Sequence, residues 1–150
     1  MGLDPAEIAL RLGAALVAGA LIGLDREFKK RPAGLQTHAL VSLGAAIALL
    51  VVAGTPSGIG DPMSRAVQGI ITGIGFLGAG VIMQYERERR VEGLTTAASI
   101  WTAAALGMAC GAGYLALALA GLAAVLFVLV VLGRVEVWLA RRGLGNDEKQ

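Results

Sequence analysis

Three groups of polar side chains lie within or at the ends of long apolar runs, where such residues are costly and therefore candidates for function. The first is Asp25, Arg26 and Glu27, followed by Thr37, His38 and Ser42, with His38 and Ser42 four apart on one helical face. The second is Glu92, Thr95, Thr96, Ser99 and Thr102, whose spacing makes one polar stripe along a helix. The third is Arg65, Gln68 and Thr72, at i, i+3 and i+7. Asp25, Glu27 and Glu92 supply hard oxygens of the kind Mg²⁺ and Ca²⁺ prefer. Mg²⁺ keeps several waters and takes one or two carboxylates, so these three are the candidate metal ligands. Neighbouring Arg and Lys side chains neutralise much of their field. Nothing points to catalysis. There is one histidine, no GxSxG, no HExxH and no phosphate-binding loop. Gly73-Ile-Gly-Phe-Leu-Gly78 is a literal GxGxxG, but it lies inside an apolar span with no strand before it. No enzyme is expected.

A plain structural reading stands beside each group. Thr and Ser in membrane helices bond their own i−4 carbonyls or join helices together. Asp25, Arg26 and Glu27 also read as an interfacial charge cluster, and Arg65 as a side chain that snorkels to the headgroups. Cys110 sits in an apolar run with no Cys or His spacing for zinc, so it reads as packing.

The elements that position these residues are membrane spans. The chain has 150 residues, 56% of them hydrophobic and 16% charged, with mean hydropathy +0.71. That is too little polar surface for a soluble domain. The fold class expected is an all-α membrane bundle of five transmembrane helices. They run from about Pro5 to Leu24, Gln36 to Val52, Asp61 to Met83, Leu94 to Cys110 and Tyr114 to Leu132. Each is 17 to 23 residues, enough for a hydrocarbon core of about 30 Å. Residues 1–133 form the transmembrane domain and 134–150 a charged tail. Basic residues fill the first loop (Arg26, Lys29, Lys30, Arg31), the third (Arg87, Arg89, Arg90) and the tail (Arg134, Arg141, Arg142, Lys149). Five spans bring all three to one side, which predicts the N-terminus outside and the C-terminus in the cytoplasm. The net charge of +2 shows no basic face interleaved with aromatics, so no nucleic acid is expected.

Asp61–Met83 carries Gly69, Gly73, Gly75, Gly78 and Gly80. In a membrane a missing side chain lets a neighbouring backbone come close. This stretch is accordingly expected to be the central helix, with the others packed around it. Gly19/Gly23 and Gly107/Gly111 offer further small faces.

Three ordered motifs now matter: Gly23–Ala46 (GLDREFKKRPAGLQTHALVSLGAA), Asp61–Ile82 with GIITGIGFLGAGVI, and Val91–Gly113 with VEGLTTAA. Over roughly Leu12–Leu132 they resemble the MgtC/SapB family of bacterial membrane proteins. The family's acidic-Arg-Glu falls on Asp25, Arg26 and Glu27, its Pro-Ala-Gly-Leu on Pro32–Leu35, and its Thr-His on Thr37 and His38. Its Gly-Leu-Thr-Thr-Ala falls on Gly93–Ala97. The resemblance implies a multi-pass protein of the bacterial inner membrane linked to magnesium homeostasis, in some pathogens to survival in low magnesium inside host cells. It implies either a regulator of other membrane machines, an ATP synthase among them, or a magnesium transporter. Longer members carry a further cytoplasmic C-terminal domain, whereas here only about Gly133–Gln150 follows the last span. The first expectation is a regulator of magnesium or ion homeostasis acting by helix–helix contact with itself, as a dimer, or with another membrane protein. The second is a cation channel or transporter with an acidic cytoplasmic mouth. Mg²⁺ is the one candidate ligand.

Overall fold

The computed structural model describes residues 4–54, 61–83 and 93–142. Five helices are long and apolar enough to cross a membrane. They are α1 (Pro5–Phe28), α2 (Leu35–Ala53), α3 (Asp61–Met83), α4 (Leu94–Gly111) and a fifth, Leu115–Arg141, that begins as α5 (Leu115–Phe127). The last continues through a π-helical turn, Val128–Leu132, into α6 (Gly133–Arg141). No strand occurs among the described residues. The all-α, five-span reading holds.

Two ends differ from the sequence reading, and both have local causes. α1 runs one turn further than expected, through Asp25–Phe28, because Asp25 and Lys29 close an i,i+4 ion pair at 2.9 Å. Lys29 Nζ also donates to the Leu129 carbonyl at 2.6 Å, which ties the end of α1 to the π turn. At Gly133 the chain keeps helical dihedrals (φ −62°, ψ −34°), so it does not break and the last helix runs on to Arg141.

The packing is that of a membrane bundle, with small residues inside and large ones outside. Ala15, Ala18, Ala45, Ala46, Ala103 and Ala104 are buried, while Leu40, Phe76, Leu117 and Leu119 face outward. The densest part is a three-helix core in which α2 lies between α1 and α4. Glycines set how close the helices come. A Cβ on Gly19 would meet Ser42 Cβ at 2.8 Å, and one on Gly23 would meet Leu35 Cα at 2.6 Å. From the other side, a Cβ on Gly107 would meet the Ser42 carbonyl carbon at 2.7 Å, and one on Gly111 would meet Ala46 Cα at 2.8 Å. The turn after α4 also needs glycine, since Gly113 takes φ +88°. The guanidinium of Arg11 lies beside it, 2.8 Å from where a Cβ would be.

The expected central place of Asp61–Met83 is corrected by the structure. α3 lies at the side of the core, against α4 and the edge of α2, and of the residues from Asp61 to Ile82 only Gly78 is buried. A Cβ on Gly69, Gly73, Gly75 or Gly80 would meet nothing within 4 Å, and one on Gly78 would only touch Ala97 Cβ at 3.5 Å. The physical reason is volume. α2 is already filled on two faces by α1 and α4, so a glycine-rich helix has no remaining inward face there. Open grooves of about 390 Å³ separate α3 from α2 on one flank and from α4 on the other.

This division predicts opposite outcomes for two glycine-to-leucine changes. Gly107→Leu drives a side chain into the α2 backbone and costs more than the 1–3 kcal/mol or so of ordinary overpacking. Gly73→Leu projects into open space and leaves the monomer fold intact. Thermal aggregation of detergent-solubilised protein, followed by size-exclusion chromatography, separates the two.

Candidate functional site

The polar residues singled out from the sequence fall into three structural sets. At the end of the bundle formed by the C-terminus of α1 and the N-termini of α2 and α4, five side chains meet inside the core. Arg26, His38, Ser42, Thr96 and Ser99 are all buried, none more than 4% exposed. Arg26 Nη2 donates to Thr96 Oγ1 at 2.6 Å, which joins α1 to α4. His38 Nε2 lies 2.9 Å from Ser99 Oγ, which joins α2 to α4, and His38 Nδ1 lies 3.0 Å from the Gly34 carbonyl. Ser99 Oγ is also 2.8 Å from the Thr96 carbonyl, and Ser42 Oγ donates to the Ala15 carbonyl at 2.7 Å.

Counting protons fixes how this network works. A carbonyl only accepts, so the Gly34 contact requires a proton on His38 Nδ1. With the ring neutral, the single Ser99 hydroxyl proton then goes to Nε2; with the ring charged, it goes to the Thr96 carbonyl. The Arg26–Thr96 and His38–Ser99 contacts thus bring α1 and α2 to the same turn of α4, and the Ser99 hydroxyl joins them only when the ring is charged. Among the described residues Arg26 has no carboxylate partner, and its Nε has no hydrogen-bond partner. A buried guanidinium held by one neutral hydroxyl is costly for the fold.

The carboxylates at this end are not gathered. Asp25 is paired with Lys29. Glu27 reaches over the α1–α2 turn, and its Oε2 accepts from the Leu35 N–H at 3.3 Å, placing its charge at the start of α2. Its carboxylate occupies the space that a Cβ on Gly34 would need, so glycine there lets the cap form. Among the described residues no three His, Cys, Asp or Glu side chains converge as metal ligands would. Glu92 lies outside the described residues. The helix 4 stripe is divided: Thr96 and Ser99 point inward, Thr102 is half-buried and bonds the Ser99 carbonyl, and Thr95 is exposed. Thr37 is half-buried beside the site.

The third set is separate. Arg65, Gln68 and Thr72 lie on the exposed face of α3. Thr72 Oγ1 donates to the Gln68 carbonyl at 2.9 Å, and the side chains of Arg65 and Gln68 have no polar partner among the described residues. Two roles went unread in the sequence. Arg11, which pairs with Glu7, also donates Nη1 to the Gly111 carbonyl at 3.0 Å and so caps α4. Lys29 anchors the π turn. The signal for Arg11 was the glycine pair Gly111–Gly113, which marks a helix end with carbonyls to satisfy.

The network makes a contrasting prediction. Arg26→Met removes a buried, unpaired charge and keeps the volume, so thermal stability in detergent is retained or raised. His38→Ala removes the imidazole that joins α2 to Ser99 on α4 and leaves a cavity in the core, and lowers stability by about 1–3 kcal/mol. If Arg26→Met abolishes cellular function while the protein stays folded, the guanidinium has a role beyond the fold.

A model of the MgtC family matches residues 12–138. Among curated proteins the chain is similar to Protein SrpB of Synechococcus elongatus, with 41% identity covering 88% of this chain and 79% of that one. It is similar to Protein MgtC of Salmonella typhimurium, with 44% identity over 82% of this chain and 51% of the relative. Protein MgtC of Brucella abortus is 46% identical over 72% of this chain and 44% of the relative. The chain thus spans about half the length of these two MgtC proteins. No solved structure matches it. The matched family model covers three of the five spans in full and most of the other two, with the buried network and the whole of α3, and on that evidence this multi-pass membrane protein belongs to the MgtC family.

Proposed function

We propose that the chain is a non-enzymatic regulator of magnesium or ion homeostasis in a bacterial inner membrane, with the Lys- and Arg-rich loops cytoplasmic. It acts by contact of its helices with a second copy or another membrane protein. The observation that carries this reading is the outward face of α3. Among the described residues α3 leaves Arg65 and Gln68 exposed and without polar partners. It also leaves four glycines with open space beside them. A lipid tail offers nothing to a carboxamide, whereas a neighbouring helix offers both hydrogen bonds and close packing.

The arrangement of the carboxylates supports this over transport. Asp25 serves Lys29 and Glu27 serves the start of α2, so each has a local task that leaves the first motif without a free acidic mouth. Mg²⁺ enters the reading as the ion whose supply the regulated machinery handles. An ATP synthase, as the family resemblance suggests, is one membrane partner to test.

Two measurements decide between the readings. Purified protein in liposomes is expected to give no Mg²⁺ flux above empty vesicles. Flux that disappears in Asp25→Ala would establish transport instead. In a strain lacking the protein, grown at low magnesium, wild type is expected to restore growth while Gly75→Leu, inserted to the same level, does not. Equal rescue by Gly75→Leu would remove α3 from the account.

A further inference from the structure

The fifth span is longer than the bilayer needs. Lys29, paired with Asp25, donates to the Leu129 carbonyl at 2.6 Å, and a charged pair belongs at the polar boundary of the membrane. Leu129 therefore marks that boundary. From Leu129 to Arg141 the helix rises about 18 Å at 1.5 Å per residue, whereas the headgroup layer on each side is only about 5–7 Å deep. An upright α6 would carry Val135, Val137 and Trp138, which are 44%, 53% and 49% exposed, past the headgroups into water. Its polar residues are ordered around that apolar surface. Arg134, Trp138 and Arg141 stand at i, i+4 and i+7 and share one stripe. Val135 and Leu139 run beside the stripe, and Glu136 falls on the far side. The Arg142 guanidinium stacks on the Trp138 ring, 4.0 Å from its centroid, which holds a third cation against the stripe. Arg134, Arg141 and Arg142 are exposed and have no ion-pair partner among the described residues.

We infer that α6 lies along the membrane surface at this end of the bundle and binds anionic lipid headgroups there, with Arg134 and Arg141 on the phosphates and Trp138 seated between them. The inference stands apart from the reading of α3. Position and charge together name the occupant. α6 continues a membrane span without a break, so lipid headgroups are its immediate neighbours. An apolar strip bordered by arginines is the pattern of a helix lying in the interface, where tryptophan rings sit at headgroup level. A guanidinium takes two phosphate oxygens at once. Each basic residue adds attraction to an anionic surface, whereas a zwitterionic one gives no such net attraction. The helix also has a place to bend. Within the π turn Val128–Leu132 the hydrogen bonds shift register, so that the Gly133 N–H reaches the Val128 carbonyl five residues back, and long helices kink at such turns. Lys29 bonds the Leu129 carbonyl inside that turn, which fixes where the bend falls.

Tryptophan fluorescence of the full chain in nanodiscs tests this. Trp101→Phe, at an exposed position of α4, leaves Trp138 as the sole tryptophan. The discs are made of phosphatidylcholine alone or of phosphatidylcholine mixed with phosphatidylglycerol. Quenching by acrylamide, a neutral solute, is expected to be about twofold weaker in the anionic discs, with emission shifted to the blue. High salt should restore the quenching, because it screens the surface charge. Arg134→Gln with Arg141→Gln should remove the difference between the two lipids, and Glu136→Gln, on the far side of α6, should keep it. All three side chains are exposed, so the variants are expected to elute as folded protein in size-exclusion chromatography. Equal shielding of Trp138 in both lipids would overturn the anionic headgroup contact and leave apolar insertion alone. Equal and full quenching in both would overturn the surface placement of α6 as well.

Discussion

The rest of the structure depends on the close approach of two helix backbones to α2. Ser42 is the reference point. The missing side chain of Gly19 on α1 admits Ser42 from one side, and that of Gly107 on α4 admits its carbonyl from the other. In lipid there is little hydrophobic drive to bring helices together, so van der Waals contact and hydrogen bonds must do it. Glycine and alanine supply the contact by removing what would hold the backbones apart. The hydrogen bond from Ser42 to the Ala15 carbonyl is feasible only at that separation.

The polar network follows from the same constraint. Once α1, α2 and α4 are this close, Arg26, His38, Thr96 and Ser99 are enclosed at one end of the core, and their bonds must be made to one another. Each of the three helices contributes, so the network fixes their rotation as well as their distance. The neighbouring carboxylates act at the rim, one holding Lys29 and one capping α2. A motif rich in ionisable residues is thus divided between a buried framework and its surface supports.

Much of the fold was legible in the sequence because membrane spans have few solutions. Length, hydropathy and glycine-proline breaks gave five helices with ends within about a turn of those observed, except the last, which runs on from Leu132 to Arg141. The pairing of His38 with Ser42 on one face and the inward run of Thr96 and Ser99 were readable from helical spacing. What spacing could not give was which helix occupies the centre. Glycine content marks a helix that approaches something closely, but not whether that neighbour is in the same chain. Gly19 and Gly107 meet α2, whereas a Cβ on Gly73 or Gly75, of the same residue type, would meet nothing within 4 Å among the described residues. The inward turn of Arg26 was equally hidden, since its neighbours Asp25 and Glu27 suggested a surface cluster. Only the nearness of Thr96, seventy residues away, decides it.

A core closed by α1, α2 and α4, beside an α3 with Arg65, Gln68 and Thr72 exposed, is what supports the proposal that α3 is the working surface of the protein. Covering of that surface is the central claim, and it can be measured in bilayers without altering a residue. Solid-state NMR transfer of magnetisation from lipid acyl chains reports which residues touch lipid. Gln68, Gly75 and Ala79 should be shielded from lipid while Leu119 receives strong transfer. Lipid contact at the three α3 residues equal to that at Leu119 would contradict the account.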